Sequence, residues 1–233
     1  MTVNGNVHIF YDDQLQTAYL EEIFDPLFLE FKGLVSGQAP GRGSVYFFRY
    51  SGMELVLKHY RRGGIVAIIF KDWYLGRRME RTRAWREYHM LKKMRELNLP
   101  VPRPIAARVQ MKKLIYKADL ITERIMNART FVDALNIEGD NLLVWKKVGQ
   151  CIKKFHNTGV YHHDLNARNI LVDSDMTVHI IDFDRCKFRS RGNWRSRNMF
   201  RLKRSLAKIS SHVNNPFYSD EKWALLIAAY NEG

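Results

Sequence analysis

The feature that most constrains this chain is a run of three predicted elements between residues 142 and 184. Apolar residues at helical spacing predict a helix over residues 142–156 that ends near Gly159, and its inward face comprises Leu142, Leu143, Val148, Ile152 and Phe155. The polar segment VYHHDLNARN follows directly, and the short apolar runs NILV and VHII around the turn DSDMT then predict a hairpin. A loop rich in histidine, aspartate and asparagine is therefore held between a helix and a hairpin, a setting in which polar groups can be fixed for binding or catalysis.

The first half of the chain contains patterns typical of strands. Residues 41–60 alternate, are rich in aromatic and β-branched residues, and carry Ser51-Gly52 between two runs, so they predict a hairpin with Lys58 on its second strand. Further strands are expected over residues 105–109 and 114–121, separated by the residues QMKK. The sequence therefore predicts a β-rich first part and a helical second part.

A predicted helix over residues 82–97 carries a carboxylate on its apolar face. The apolar positions at helical spacing are Met90, Leu91, Met94 and Leu97. Glu87 precedes the first two of them by three and four positions, so its side chain projects from the same face. A buried carboxylate needs a partner, and Lys58 is the proposed one. Glu80 is the alternative partner for Lys58, but Glu87 is favoured by its position on the helix.

Five polar residues occur in an order that suits phosphoryl transfer. That reaction needs a cation for the nucleotide phosphates, oxygen ligands for metal ions and a base beside the acceptor hydroxyl. The residues are Lys58 and Glu87, then Asp164 and Asn169 in the pattern HxDLxxxN, then Asp182 at the end of the hairpin. Each of them alone is commonly structural, whereas the ordered set indicates a kinase.

The segment FHNTGVYHHDLNARNILVD, followed by VHIIDFD, resembles the catalytic loop of the protein-kinase-like fold. The segments GRGSVYFF, LVLKHYRRGG, RTRAWREYHMLKKMRELNLPVPRPIAAR and YKADLITERI are further similar to the bacterial 3-deoxy-D-manno-octulosonic acid (Kdo) kinases of lipopolysaccharide assembly, over about residues 35–190. The resemblance implies an α+β, protein-kinase-like bilobal fold in one domain over residues 1–233. A β-rich N lobe is expected at about 1–123 and a reduced helical C lobe at about 124–233.

The same resemblance implies an activity and a set of site residues. The implied reaction is the ATP-dependent phosphorylation of the 4-hydroxyl of Kdo on a lipid A precursor. By this likeness Asp164 is the catalytic base, and Asn169 and Asp182 bind Mg²⁺. The residues implied to bind ATP are Lys58, Glu87, Gly41, Gly43 and Glu123.

The sequence departs from the protein-kinase pattern at several positions. Of the glycine-rich loop pattern the chain has only Gly41-Arg42-Gly43. This short motif is equally typical of a tight turn and of a loop that covers the nucleotide phosphates. His163 stands where regulated kinases have arginine, which predicts constitutive activity. Asp184 replaces the glycine of the DFG motif and is expected to have a supporting role, either as a further metal carboxylate or as a surface acid. His162 is expected to pack and to hold the loop.

The charge predicts an anionic partner. The chain has 38 Lys and Arg against 24 Asp and Glu, a net charge of +14 and an isoelectric point of about 9.8. Residues 185–208 contain ten basic residues and no acidic one, and they are either a solvated face or a surface that approaches an anionic membrane. The resemblance to Kdo kinases implies work at the cytoplasmic face of the bacterial inner membrane, and a basic chain in which no apolar run approaches the ~20 residues of a membrane span suits a peripheral protein there. Two cysteines without CxxC spacing suit a reducing compartment.

Three other functions compete with a Kdo kinase. A protein kinase is disfavoured because only 51 residues follow Asp182 and none of them forms an APE-like motif. A lipopolysaccharide heptose kinase differs only in its acceptor and stays an open alternative. A basic module that binds membranes or nucleic acid without catalysis would explain the charge but not the five ordered polar residues. We therefore expect an anionic Kdo glycolipid as substrate, with no nucleic acid and no protein partner.

Overall fold

A computed structural model describes most of the chain as two compact units. The described residues are 1–39, 45–60, 73–76, 78–137, 142–190, 192–213 and 216–232. The first unit comprises Met1–Lys92 and Arg103–Arg124, and the second comprises Lys93–Pro102 and Ile125–Gly233. Residues 93–102 therefore pack with the second unit although both neighbouring segments belong to the first.

The first unit is built on an antiparallel sheet of eight strands in its described part. The strands are β1 (Thr2–Asn4), β2 (Val7–Tyr11), β3 (Val35–Ala39), β4 (Val45–Tyr50), β5 (Met53–His59), β6 (Tyr74–Leu75), β7 (Pro104–Lys112) and β8 (Ile115–Glu123). Their order is β1-β2-β7-β8-β5-β4-β3, and β6 pairs with β8. The predicted hairpin is confirmed as β4 and β5, which pair from Val45↔Lys58 to Tyr50↔Met53. The segment QMKK is not a separate connection, because β7 continues to Lys112 and the turn follows at Lys113, whose φ is 53°.

One face of this sheet is covered by a segment that the sequence analysis did not identify. Helix α1 (Pro26–Phe31) begins at Asp25, whose side chain accepts a hydrogen bond from the amide of Leu27, and a proline opens the helix. The core beneath it comprises Ile23, Phe24, Leu29, Leu55 and Leu57, all at most 1% exposed. The pattern Asp-Pro at 25 and 26 was the available signal for this helix.

Successive side chains of β5 lie on opposite faces of the sheet. Leu55, Leu57 and His59 point to the core face, whereas Lys58 points to the opposite face. His59 contacts the buried carboxylate of Asp119 on β8, and Arg108 on β7 donates to the same carboxylate at 2.8 Å. This charged group joins three neighbouring strands, so it fixes their register and, with it, the direction in which Lys58 points.

Helix α2 (Arg83–Glu96) lies where the sequence predicts a helix. Its buried positions include Met90, Leu91 and Met94, as expected from their spacing. The helix ends before Asn98, which has a positive φ of 53°. Glu87 is 4% exposed, so the predicted burial of a carboxylate on this face is confirmed.

The second unit combines helices with short sheets. Its described helices are α3 (Phe131–Ile137), α4 (Leu142–Asn157), α5 (Trp194–Ser210) and α6 (Asp220–Glu232). Its strands are β9 (Arg129–Thr130), β10 (Val160–Tyr161), β11 (Ile170–Val172), β12 (Val178–Ile180) and β13 (Lys187–Phe188). The predicted hairpin is confirmed as β11 and β12, and β9 pairs with β11 while β10 pairs with β13.

Helix α4 confirms the predicted span but corrects its inward face. Leu142 and Leu143 are 44% and 51% exposed, because the first turn of α4 lies at the surface. The buried face is instead formed by Val144, Trp145, Val148, Cys151, Ile152 and Phe155. Gly149 faces α6, and a Cβ atom there would lie 2.2 Å from the backbone oxygen of Leu226. The two helices therefore pack at a distance that only glycine allows at this position.

At the level of fold class, the expectation of an α+β protein is confirmed. The described residues form a large antiparallel sheet and six α-helices, an arrangement compatible with a kinase-like fold. No helix in the described part of the chain is both long and apolar enough to cross a membrane.

Candidate active site

The first group of predicted site residues lies in the sheet unit. Lys58 on β5 donates to both carboxylate oxygens of Glu87 on α2, with Nζ 3.1 Å from Oε1 and 2.9 Å from Oε2. Tyr60, two residues further along the chain, donates its hydroxyl to Glu87 Oε2. The predicted pairing is therefore present, and the alternative acid Glu80 lies in a short 3-10 helix at Met79–Arg81.

This ion pair is asymmetric in its burial. The Glu87 side chain is 3% exposed, whereas that of Lys58 is 26% exposed. A buried carboxylate requires a cation and hydrogen-bond donors, and Lys58 with Tyr60 supplies them. Glu87 thus fixes the Lys58 ammonium, which keeps part of its surface accessible for an anionic ligand.

The second group lies on the loop between β10 and β11 in the helical unit. His162, 3% exposed, accepts from the amide of Asp164 through Nδ1 at 3.2 Å, so Nε2 carries the proton that it donates to the carbonyl of Ile181 at 3.0 Å. Its ring also packs edge-on against Phe183 with centroids 4.9 Å apart. The expectation that His162 holds the loop is confirmed, and the same ring ties the loop to the segment that contains Asp182.

Asparagine side chains set the shape of the loop around Asp164. Asn166 caps a 3-10 turn by accepting from the amides of Arg168 and Asn169 at 2.9 and 3.2 Å. Asn169 Nδ2 donates to the backbone carbonyl of Asp164 at 3.0 Å, and Asn166 Nδ2 donates to the same oxygen at 3.1 Å. The Asp164 side chain stays 52% exposed, so the loop presents its carboxylate to solvent from a fixed backbone.

The hairpin places Ile181, the residue before Asp182, opposite Asn169. The amide of Ile181 donates to the carbonyl of Asn169 at 3.0 Å, directly beyond the β11–β12 pair Ile170↔Ile180. Asp182 follows with a positive φ of 63°, which turns the chain away from the ladder, and the residue is exposed. The structure thus brings Asn169 and the start of DFD together through backbone contacts.

Three basic side chains of α5 contact neighbouring groups of the helical unit. Arg201 Nη1 donates to Asp164 Oδ1 at 2.6 Å, a contact between residues 37 positions apart. Arg195 donates to the carbonyl of His156 at 2.7 Å, and Lys203 pairs with Asp220 at 3.1 Å. These three side chains therefore have partners within the described part of the chain, and the approach of the segment 185–208 to a membrane stays a prediction. Arg197 is exposed and has no ion-pair partner among the described residues.

The remaining predicted contacts for ATP are only partly described. Gly41 and Gly43 lie outside the described residues. Glu123 ends β8 and accepts from Arg103 Nε at 3.0 Å, and its side chain is 45% exposed. A role of these three residues in nucleotide binding stays a prediction.

Comparison with known proteins decides the family. Residues 28–230 match the model of the lipopolysaccharide kinase (Kdo/WaaP) family, which is most of the chain. The chain belongs to this family. A 3-deoxy-D-manno-octulosonic acid kinase from Vibrio vulnificus strain YJ016 is 41% identical over 204 residues, which are 88% of this chain and 86% of that protein. The enzymes of the same name from Haemophilus influenzae strain 86-028NP and from Photobacterium profundum are 38% and 37% identical, over 91% and 97% of this chain and 90% and 95% of theirs.

In this lipopolysaccharide kinase, three supporting residues were missed by sequence reasoning. Arg201 contacts Asp164, and Tyr60 contacts Glu87. Asn198 on α5 is 2% exposed and binds both backbone groups of His162, accepting from its amide at 3.2 Å and donating to its carbonyl at 2.8 Å. Tyr60 could have been found by alternation along β5. Arg201 and Asn198 carry no local signal, because only the packing of α5 brings them to the loop.

The oxygen groups on the loop and hairpin fit a magnesium ion. Among the described residues, no group of three or more His, Cys, Asp or Glu side chains is arranged to hold a metal. Mg²⁺ in phosphoryl-transfer sites is commonly bound by one or two protein oxygens together with nucleotide phosphates and water, so a smaller donor set suffices. Asn169 uses its amide nitrogen to bind Asp164, which leaves Oδ1 directed elsewhere, and Asp182 supplies an exposed carboxylate.

Proposed function

We propose that this protein transfers the γ-phosphoryl group of ATP to the 4-hydroxyl of Kdo on a lipid A precursor. The observation that carries the proposal is that one chain of the lipopolysaccharide kinase family has two features that phosphoryl transfer requires. One is a lysine fixed by a buried glutamate, and the other is a loop that presents the exposed carboxylate of Asp164. The names of the similar enzymes specify Kdo as the acceptor sugar, in preference to heptose.

Each residue has a role in the proposed reaction that follows from its surroundings. Asp164 accepts the proton of the acceptor hydroxyl as that oxygen bonds to the γ-phosphorus and the bond to the β-phosphate oxygen breaks, which releases ADP. Lys58, held by Glu87, contacts the α and β phosphates. Asn169 and Asp182 would hold Mg²⁺, which would supply positive charge to neutralise the phosphates. Gly41, Gly43 and Glu123 are assigned to nucleotide binding by the resemblance alone.

The proposal includes a kinase-like bilobal arrangement and a peripheral place at the cytoplasmic face of the inner membrane. The first is supported by the division of the described chain into a sheet unit and a helical unit. The second is supported by the net charge of +14, since anionic lipid surfaces attract basic proteins. Arg185, Lys187 and Arg197 are exposed basic residues of the segment 185–208 and are the candidates for this contact.

The test is phosphoryl transfer by the purified full-length protein. It is incubated with γ-labelled ATP, Mg²⁺ and a Kdo–lipid A precursor, and in parallel with a heptosylated core acceptor. We expect label on the Kdo acceptor, at the 4-hydroxyl when the product is mapped by NMR. Label on heptose alone would replace the proposal by a heptose kinase, and no label on either acceptor would refute it.

The metal assignment has its own experiment. Asp182→Ala removes a ligand rather than the base, so we expect it to weaken ATP binding in the presence of Mg²⁺ and to leave the Mg²⁺-free binding of ATP unchanged. Asp175→Ala, at an exposed carboxylate in the turn between β11 and β12, is the matched control. Equal nucleotide affinity with Mg²⁺ in Asp182→Ala and in the wild type would make Asp182 structural.

A further inference from the structure

An open groove of about 600 Å³ in the helical unit is lined in part by Arg201, the residue whose guanidinium contacts Asp164. It is formed by the 3-10 turn of the loop on one side and by one face of α5 on the other. Positions 201, 204 and 208 are spaced by three and four residues, so their side chains lie on the same face of the helix. The groove is lined by Asn166, Arg201, Arg204, Ser205, Ala207 and Lys208.

The charge in this groove is strongly unbalanced. Arg204 and Lys208 line it, and neither forms an ion pair with a described residue. No acidic side chain is among the described residues that line the groove, and Asp164, the carboxylate that contacts its lining residue Arg201, is itself outside that lining. Three cations converging on one open space raise the local concentration of anions and favour an anionic ligand there.

Arg201 connects this groove with the acceptor base. Its Nη1 donates to Asp164 Oδ1 at 2.6 Å, whereas Nε and Nη2 make no hydrogen bond with a described residue. A guanidinium carries five N–H donors in a planar fork and binds carboxylates through more than one edge. Arg201 can therefore hold Asp164 with one edge and a second carboxylate with another.

We propose that the groove is an acceptor subsite that binds the carboxylate of the sugar acid, with Arg201 bridging that carboxylate and Asp164, and Arg204 and Lys208 supplying further positive charge. This inference rests on the proposed function. An octulosonic acid carries its carboxylate on C2 and the reacting hydroxyl on C4 of the same ring. Binding of the carboxylate beside Asp164 therefore brings the hydroxyl close to the base, which a phosphate on a more distant sugar would not do.

The test combines changes in the protein with a change in the acceptor. The acceptor is supplied as the Kdo–lipid A precursor and as its Kdo methyl ester, which removes the negative charge and keeps the hydroxyl. For the wild type, we expect esterification to raise the KM for the acceptor by about tenfold or more, the effect of losing charge-assisted hydrogen bonds. For Arg204→Gln/Lys208→Gln, we expect the free acid to have a raised KM and esterification to raise it by a smaller factor than in the wild type, because only Arg201 then remains to bind the carboxylate.

Two controls keep the result specific. Lys203→Gln removes one positive charge from the same helix, but Lys203 pairs with Asp220 and does not line the groove, so its acceptor KM and its esterification effect should stay at wild-type values. The KM for ATP, measured for every variant, should not change, which also shows that the variants are folded. Arg201→Lys is a separate case, since Arg201 touches Asp164, and it should lower kcat as well as raise the acceptor KM.

Each outcome has a distinct meaning. Absence of transfer by the wild type to any acceptor overturns the proposed function itself. A wild-type enzyme that phosphorylates acid and ester equally well, with unchanged acceptor KM in the double variant, overturns the groove assignment and leaves the kinase activity standing. A third outcome would assign the groove to lipid phosphate and would also overturn the carboxylate assignment. In that outcome the double variant has a raised KM for the acceptor but shows the same esterification effect as the wild type. Its KM then equals that of the wild type when the lipid acceptor is dephosphorylated.

Discussion

His156, near the end of α4, should make the helical unit sensitive to acid. The residue is 2% exposed, its Nδ1 is 2.8 Å from the hydroxyl of Tyr230 on α6, and its ring packs edge-on against Trp194 on α5 at 5.1 Å. Burial lowers the pKa of His156 from 6.5 to about 4, and the nearby charge of Arg195 acts in the same direction. Protonation therefore places an unfavourable charge at the junction of three helices.

The magnitude follows from the difference between the folded and unfolded pKa. Between pH 6.5 and about 4 the unfolded chain binds a proton at His156 that the folded chain does not, so the free energy of unfolding decreases as the pH falls. The stabilisation is fully present above pH 6.5 and is lost progressively towards pH 4. A pKa difference of roughly 2.5 units corresponds to about 3 kcal/mol, a large part of the stability of an ordinary domain.

Urea unfolding followed by tryptophan fluorescence at pH 7, 5.5 and 4 measures this loss. His156→Phe keeps an aromatic ring between α4, α5 and α6 but cannot be protonated, so its free energy of unfolding should fall by about 3 kcal/mol less than that of the wild type between pH 7 and 4. His212→Gln, at an exposed histidine, is the control and should keep the wild-type dependence. Parallel pH profiles for the wild type and His156→Phe would refute the argument.

Three further predictions concern catalysis and packing. Asp164→Ala should lower the transfer rate roughly 10²- to 10⁴-fold with an unchanged melting temperature, since the side chain is exposed, and near-normal turnover would remove it as the base. Lys58→Ala and Glu87→Ala should each reduce kcat/KM, and the double variant should be no worse than the more damaging single one, whereas additive losses would show that the pair does not act as a unit. Gly149→Ala should destabilise the protein by on the order of 3 kcal/mol in urea unfolding, because the new methyl group overlaps a backbone oxygen of α6. Gly192→Ala, where the nearest atom is at 3.5 Å, is its control, and equal stability of the two variants would contradict the packing argument.

The sequence by itself determined most of the local structure around the candidate site. Alternation and a Ser51-Gly52 turn predicted the hairpin β4–β5, and helical periodicity predicted α2 and α4 with boundaries close to the observed ones. These properties depend on residues a few positions apart, which is the range over which backbone periodicity acts. The pairing of Lys58 with Glu87, 29 positions apart, was implied by the resemblance to known kinases, and helix periodicity only favoured Glu87 over Glu80.

Only the tertiary structure decided which partners the polar side chains have. Periodicity suggested that Leu142 and Leu143 were inward, yet the first turn of α4 lies at the surface and both are exposed. Arg201 was one of ten basic residues in the segment 185–208, and only the docking of α5 places it 2.6 Å from Asp164. Sequence spacing gives the face of a helix on which a residue lies, but not which neighbour covers that face. Contacts between residues 37 positions apart arise from packing, and they turn a run of basic residues into a groove beside the proposed catalytic base.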